Sequence, residues 1–289
     1  MRRSRLSVAI ALLVLLAVAA AGCGSKKKSS SSASTGCGKS QLHLLKAGQL
    51  TIGTDNPAYP PWYGGSPTKG STWKVSDPYS GKGFESAVAY ALAEQLGFAK
   101  NEVKWVVVPF DQSFRPGPKN FDFDINQVEY QPARAKNVDF SSSYFDVHQS
   151  LVALKGTELA GAKSLADVKG AKLGVQVGTT SFDYVKKNIP GVNPDVYSNS
   201  NDVVAALKAH KVDGIVVDFP TALYVTAVQV PNGVIVGQFA PTGHFGLVFT
   251  KGSSLVSCVN KAISDLKTNG TLDRIQSKWI SSSSGTTLK

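Results

Sequence analysis

VVAALKAHKVDGIVVDFPTALYVTAVQ, residues 203–229, reads as helix, strand, helix. Residues 203–210 carry apolar side chains at helical spacing, and residues 221–229 do so again. Between them GIVVD (214–218) is a short β-branched run without polar alternation, the pattern of a buried strand, and it ends on a carboxylate. The same grammar extends outward. SLVALKG (150–156) and AKLGVQVG (171–178) read as strands and SFDYVKKNI (181–189) as a helix. GVIVGQFA (233–240) and FGLVFTKG (245–252) are further strands, and LVSCVNKAISDLKTNG is a helix stopped by Gly270. In the first half, LTIGTD (50–55), VKWVVVPF (103–110) and FDFDIN (121–126) are strands, the last with Phe121, Phe123 and Ile125 on one face. Residues 84–96 form a helix ending before Gly97, behind a Pro/Gly-rich loop from Asn56 to Gly83. Strands alternating with helices predict an α/β fold of mainly parallel sheets flanked by helices on both faces. In such sheets ligands bind beyond the carboxyl ends of the strands, which directs attention to Asp55, Asn126, Gln127, Gly178 and Asp218.

With 289 residues, 42% of them hydrophobic, the chain is long enough for one large or two modest cores. Arg2, Arg3 and Arg5 precede an apolar run from Val8 to Ala21 and then small residues, the order of a signal peptide, assigned to residues 1–22. The run is short of the roughly 20 residues a membrane-spanning helix needs. AAGC at 20–23 resembles the lipobox of bacterial lipoproteins, so acylation of Cys23 and an extracytoplasmic, membrane-anchored protein are expected. Residues 23–44, opening with the low-complexity GSKKKSSSSASTG, read as a flexible tether. ASTGCGKS (33–40) imitates a phosphate-cradling loop, but it follows a serine-rich tether rather than a strand, so no nucleotide is expected there. The net charge of +11 includes the signal arginines and is spread along the chain, without the basic stripe of a nucleic-acid binder. No metal or other cofactor is expected, because His43, His148, His210 and His244 lack ligand spacing. Cys37 and Cys258 read either as a disulfide, clipping the start of the folded part to a C-terminal segment, or as two buried thiols.

Three features could carry chemistry. Gly178, Thr179, Thr180 and Ser181 lie between a strand and a helix, where free N–H groups favour an anion, although plain capping by Thr180 or Ser181 is the simpler local reading. Asp218 closes a core strand, where a carboxylate must be paired or face a cleft. INQVEYQPAR (125–134) sets Glu129 five residues before Arg134, whose planar fork of donors matches a carboxylate.

These stretches, in order, resemble the family-3 bacterial solute-binding proteins, the polar amino-acid receptors of ABC transporters. The resemblance is carried by TIGTD, AYPPW, GFE (83–85), PFD (109–111), FDFDINQVEYQPARAKNVDFSSSYF (121–145), LGVQVGTT (173–180), VDGIVVD (212–218) and NGTLDRIQSKW (269–279). It implies a two-lobed periplasmic-binding-protein fold of type II with the ligand between the lobes. Residues 45–147 and 240–289 would form lobe 1, residues 148–239 lobe 2, with hinges near 147–151 and 236–240. Carried over position by position, Arg134 matches the residue that grips an α-carboxylate, assisted by N–H groups near Thr179 and Thr180, and Asp218 the acid that takes the α-ammonium. Tyr59 and Phe110 match aromatic walls, and Asp55 and Gln176 positions at the ligand's variable end. Gln127 and Glu129 depart from the small residue and threonine common in relatives. Glu129 either adds a second acid beside the ammonium, which suits a basic amino acid or amine, or pairs with Arg134 or a lysine outside the pocket. Ala133 also departs, from a common glutamate.

The resemblance implies a monomeric receptor, not an enzyme, that delivers its ligand to a separate permease and ATPase. A dehydratase acting on prephenate-like acids, with Glu129 as general acid, and a ligand-sensing subunit are the alternatives.

Overall fold

The computed structural model describes residues 36–280 and Leu288. The signal peptide, Cys23 and the tether as far as Thr35 lie outside the described residues. In chain order the regular elements are β1 (Leu50–Thr54), α1 (Phe84–Gln95), β2 (Val103–Val107), α2 (Phe110–Ser113), β3 (Phe123–Asp124), α3 (Pro132–Ala135), β4 (Val138–Phe140) and β5 (Phe145–Leu154). Then come β6 (Leu173–Gln176), α4 (Thr180–Asn188), β7 (Asp195–Tyr197), α5 (Ser200–Lys208), β8 (Gly214–Asp218), α6 (Phe219–Tyr224), β9 (Gly233–Phe245), β10 (Val248–Thr250), α7 (Leu255–Thr268) and α8 (Thr271–Trp279).

Two five-stranded sheets result, in the orders β2-β1-β3-β10-β4 and β7-β6-β8-β5-β9. They follow one plan. β1 pairs in parallel with β2 and β3, as β6 does with β7 and β8. The remaining strands join antiparallel, β10 against β3 and β4, β5 against β8 and β9. Each sheet is therefore mixed, where alternation of strands and helices predicts a mainly parallel one. The reversed strands are β5 and β10, each entered by a short connection from the other sheet without the crossover helix that parallel pairing requires.

All five residues of β1 are buried, which accounts for its unbroken small and apolar composition. The first core gathers Ile52, Phe84, Leu92, Phe123 and Phe249 around α1 and α7. In the second sheet Leu151, Leu173 and Val216 face one layer of helices while Val152, Ile215 and Leu207 pack with the other. β5 and β9 serve both halves: Phe145, Val147 and Phe245 belong to the first core, Leu151 and Phe239 to the second.

Cys37 and Cys258 form a disulfide, which resolves their alternative readings. It fastens the N-terminal segment to α7, where Lys39 also pairs with Glu102 and the Leu45 N–H donates to Asp122 Oδ1 at 2.8 Å. Residues 36–44, read as tether, are thus docked on the first core, with Leu42 and Leu44 packed against it. The loop from 56 to 83 is equally fixed: Trp62 and Tyr63 are buried, and the N–H groups of Phe84 and Glu85 donate to the Pro61 and Trp62 carbonyls. Gly83 permits this, since its φ is +91° and a Cβ there would lie 2.4 Å from the Tyr63 Cα.

Candidate ligand-binding site

One cavity opens between the carboxyl ends of the two sheets. Its first wall comes from the segments after β1, β2 and β3, the second from those after β6, β7 and β8. Of the strand-end positions named from the sequence, Asp55, Asn126, Gln127 and Asp218 line it, and Gly178 does not. Asp55, Tyr59, Phe110, Gln127 and Arg134 line it from the first sheet, and Gln176, Thr179, Thr180 and Asp218 from the second. Glu129 is not among the lining residues.

Arg134 sits on α3, which starts at Pro132 where the missing N–H costs nothing. It is only 6% exposed. Nη1 donates to the Glu129 carbonyl at 2.7 Å and Nη2 to the Gly178 carbonyl at 2.6 Å. The guanidinium lies 4.4 Å from the Phe114 ring centroid and 5.6 Å from that of Phe110, a cation–π arrangement. Burial lowers its pKa to about 10, against the opposing fields of Glu129, Asp183 and Asp218, so it stays charged at neutral pH. Two of the five guanidinium N–H donors are committed to these carbonyls, leaving three.

The Gly178 contact puts the arginine at the start of α4. There Thr179, rather than Thr180 or Ser181, is the capping residue: its Oγ1 accepts from the Phe182 N–H at 3.3 Å and donates to the Gln176 carbonyl at 2.7 Å. Ser200 Oγ donates to Gln176 Oε1 at 2.7 Å, which fixes the amide at the cavity wall.

Asp218 ends β8 and precedes Pro220, so α6 begins at once and the carboxylate is left at the cavity. Its pKa rises to about 7, chiefly through burial and then the field of Glu129; a hydrogen bond from Gln149 Nε2 and the charge of Arg134 oppose the rise. Gln149 is wholly buried in β5, and its Oε1 accepts from Ser181 Oγ, so one amide couples Asp218 to the start of α4. Asp55, after β1, is also raised by burial; its Oδ1 accepts the Asn56 N–H at 2.7 Å. Asp55 and Asp218 are the acids and Arg134 the cation among the described lining residues.

Gln127 lies at φ +49°, a left-handed conformation uncommon outside glycine. Its backbone N–H donates to Glu85 Oε1 at 2.7 Å and its Nε2 to Glu85 Oε2. Two residues on, Glu129 is 4% exposed and packs against β9, where a Cβ on Gly243 would come 2.4 Å from its Oε1. Glu85 and Gln149 are the supporting residues that strand-end reasoning misses. Glu85 stands within the GFE motif, and Gln149 lies in the polar HQS stretch just before the apolar end of β5.

Several contacts join the two halves across the cavity: Trp62 Nε1 donates to Thr221 Oγ1 at 3.1 Å, Gln131 Nε2 to Asp183 Oδ2 at 3.2 Å, and the Tyr59 and Tyr224 rings lie 6.1 Å apart. Two mixed sheets flanked by helices, with a cleft between them, define the two-lobed periplasmic-binding-protein fold of type II. The chain belongs to the bacterial extracellular solute-binding proteins, family 3, whose model matches residues 50–282. It is 29% identical over 238 residues to the L-cystine-binding protein TcyJ of Escherichia coli K12, covering 81% of this chain and 83% of that protein. Among solved structures it is similar to an ancestral arginine-binding protein bound to arginine, at 33% identity and TM-score 0.67, over 83% of this chain and all of that one. It is also similar to the ancestral amino acid-binding protein AncCDT-1, a precursor of cyclohexadienyl dehydratase, at 27% identity and TM-score 0.64, over 81% and 95%. These relatives are amino-acid-binding proteins, and the family is extracytoplasmic.

Proposed function

We propose that this chain is a lipid-anchored receptor that captures an α-amino acid between two lobes, residues 45–147 with 240–289 and residues 148–239, and delivers it to a membrane permease driven by a separate ATPase. The observation that carries the reading is the pair Arg134 and Asp218, opposite charges presented to one cavity from opposite sheets. A zwitterion pairs both, which is the one inexpensive way to bury two charges together. Arg134 takes the carboxylate with help from the N–H groups at the start of α4, and Asp218 takes the ammonium. Tyr59 and Phe110 flank the remainder of the ligand.

Once the α-groups are paired, Asp55 is the charge left over. A ligand with a second cationic group at its far end satisfies it. Arginine does so through its guanidinium and cystine through its second ammonium, and these are the ligands named for two of the relatives above. The preference for a cationic ligand therefore rests on Asp55 instead of Glu129. The absence of Glu129 from the cavity lining also weighs against it as the general acid of a dehydratase.

Thermal shift and calorimetry of the mature protein with L-arginine, L-cystine, L-glutamine and L-glutamate test the reading. Stabilisation by arginine or cystine is expected, about 2.7 kcal/mol at a hundred times the dissociation constant. A shift with glutamate alone sinks the cationic part. Retained amino-acid binding in Arg134→Ala sinks the assignment of the carboxylate grip, and product formation on incubation would replace receptor by enzyme. Cys23→Ala should release the protein from the membrane fraction.

A further inference from the structure

The Glu85 carboxylate is completely buried, 42 residues from Gln127 in sequence, yet both its oxygens are spent on that residue and on a tyrosine. Oε1 accepts the Gln127 backbone N–H at 2.7 Å and the Tyr144 hydroxyl at 2.5 Å, while Oε2 accepts Gln127 Nε2. The carboxylate is itself immobile, since the Glu85 N–H is bound to the Trp62 carbonyl at the start of α1. Gln127 meanwhile holds a left-handed backbone, strained for a non-glycine residue unless its surroundings impose it. Packing alone does not call for two hydrogen bonds from one strained residue to one buried acid.

We propose that Glu85 is a positioning residue for ligand recognition: by accepting from the Gln127 side-chain NH2, it turns the amide so that Oε1 is presented to the cavity as an acceptor for the ligand's α-ammonium, alongside Asp218. Oε1 already takes the Gln127 N–H and the Tyr144 hydroxyl, and Oε2 takes Gln127 Nε2, so the NH2 end of the amide faces the acid and its carbonyl end faces away. Gln127 lines the cavity, so away from Glu85 is toward the ligand. Gln127 thereby supplies the acceptor through its own amide, with no small residue needed at that position. The inference rests on the amino-acid reading given above.

Glu85→Gln preserves shape but offers an NH2 toward Gln127, which forces the amide to turn and present its own NH2 to the cavity. Calorimetry uses whichever of L-arginine, L-cystine and L-glutamine binds wild type most tightly, and the same acid lacking its α-amino group. Glu85→Gln should weaken the amino acid about tenfold or more, as loss of a hydrogen bond to a charged group does. The deaminated acid should change less than about threefold, and in a Gln127→Met background the Glu85→Gln effect should disappear. Equal losses for both ligands, or an undiminished effect in the Gln127→Met background, would overturn the proposal. Should Glu85→Gln not fold, the Gln127 side-chain amide protons in wild-type NMR decide, assigned by their absence in Gln127→Met. Protection from solvent exchange is expected, and free exchange refutes it. Failure of wild type to bind any of the three amino acids would overturn the amino-acid reading itself, and this inference with it.

Discussion

β3 and β8 occupy the same central place in their sheets, and each brings a carboxylate to its C-terminal end, Asp124 and Asp218. The two are finished differently. Asp218 is half-buried, accepts from Gln149 and faces the cavity. Asp124 is 0% exposed, neither oxygen has a hydrogen-bond partner, and it lies against Gly53, where a Cβ would approach its Oδ2 to 2.7 Å. Burial, with Glu85 and Asp55 adding to it and Lys119 opposing, raises the Asp124 pKa well above its usual value. The contrast teaches that equivalent strand ends carry unequal roles. Access to the cavity, and not position in the sheet, separates the two carboxylates.

The sharpest way to break this comparison is to remove both acids in turn. Asp218→Ala should cost an α-amino acid about 3–5 kcal/mol, several-hundredfold or more, because the ligand ammonium would be buried without its partner. Asp124→Ala should leave calorimetric affinity within about threefold, since Asp124 does not line the cavity. Equal losses would end the distinction. Next in size is the disulfide, which braces the half that contains β3. Cys37→Ser with Cys258→Ser should lower stability by about 2–5 kcal/mol, read by denaturant unfolding. Hydrogen exchange should quicken first in α7 and the 36–44 segment, and last around β8. Asp124→Val, which replaces an unpartnered buried acid by an apolar side chain, should raise stability by about 1–3 kcal/mol. A lower melting temperature would mean that Asp124 has a partner in solution.

pH gives the smallest effect and the cleanest separation. Glu85 and Asp218 titrate at about 7 in the folded protein, above their unfolded values. The folded state therefore holds protons that the unfolded chain has released. Their contribution to stability is fully present in acid and is lost as pH rises through about 7. Ligand affinity runs the other way, since the ammonium needs an ionised Asp218: about tenfold tighter at pH 8 than at pH 6. Asp218→Asn should flatten the affinity profile, and Asp124→Asn should leave it unchanged.

Much of the fold is legible in the sequence where period and punctuation agree. GIVVD is β8 to the residue, and α1 ends one residue short of the expected Leu96. Phe110 reads as the end of a strand because VKWVVVPF is uniformly β-like, yet Pro109 breaks the run and Phe110 opens α2. β9 reads as stopping at Ala240, but it runs on through Pro241 and Gly243 to Phe245. Its place at the sheet edge tolerates a proline, and its pairing with β5 shifts register on the way. FDFDIN promises a longer strand than the two residues of β3. Glu129 shows why the site is harder to read than the fold. Alternation puts Gln127 and Glu129 on one face, but the left-handed backbone at Gln127 breaks the period of two. The supports, Glu85 and Gln149, act across 42 and 69 residues, a reach that no local pattern encodes.

β5 and β9, 10 and 13 residues long, run uninterrupted from one core into the other. A strand cannot melt along half its length without exposing the ladder of the remainder. The paired ribbon that joins the halves therefore also forbids them to unfold separately, and calorimetry should record one cooperative transition where two lobes invite the expectation of two.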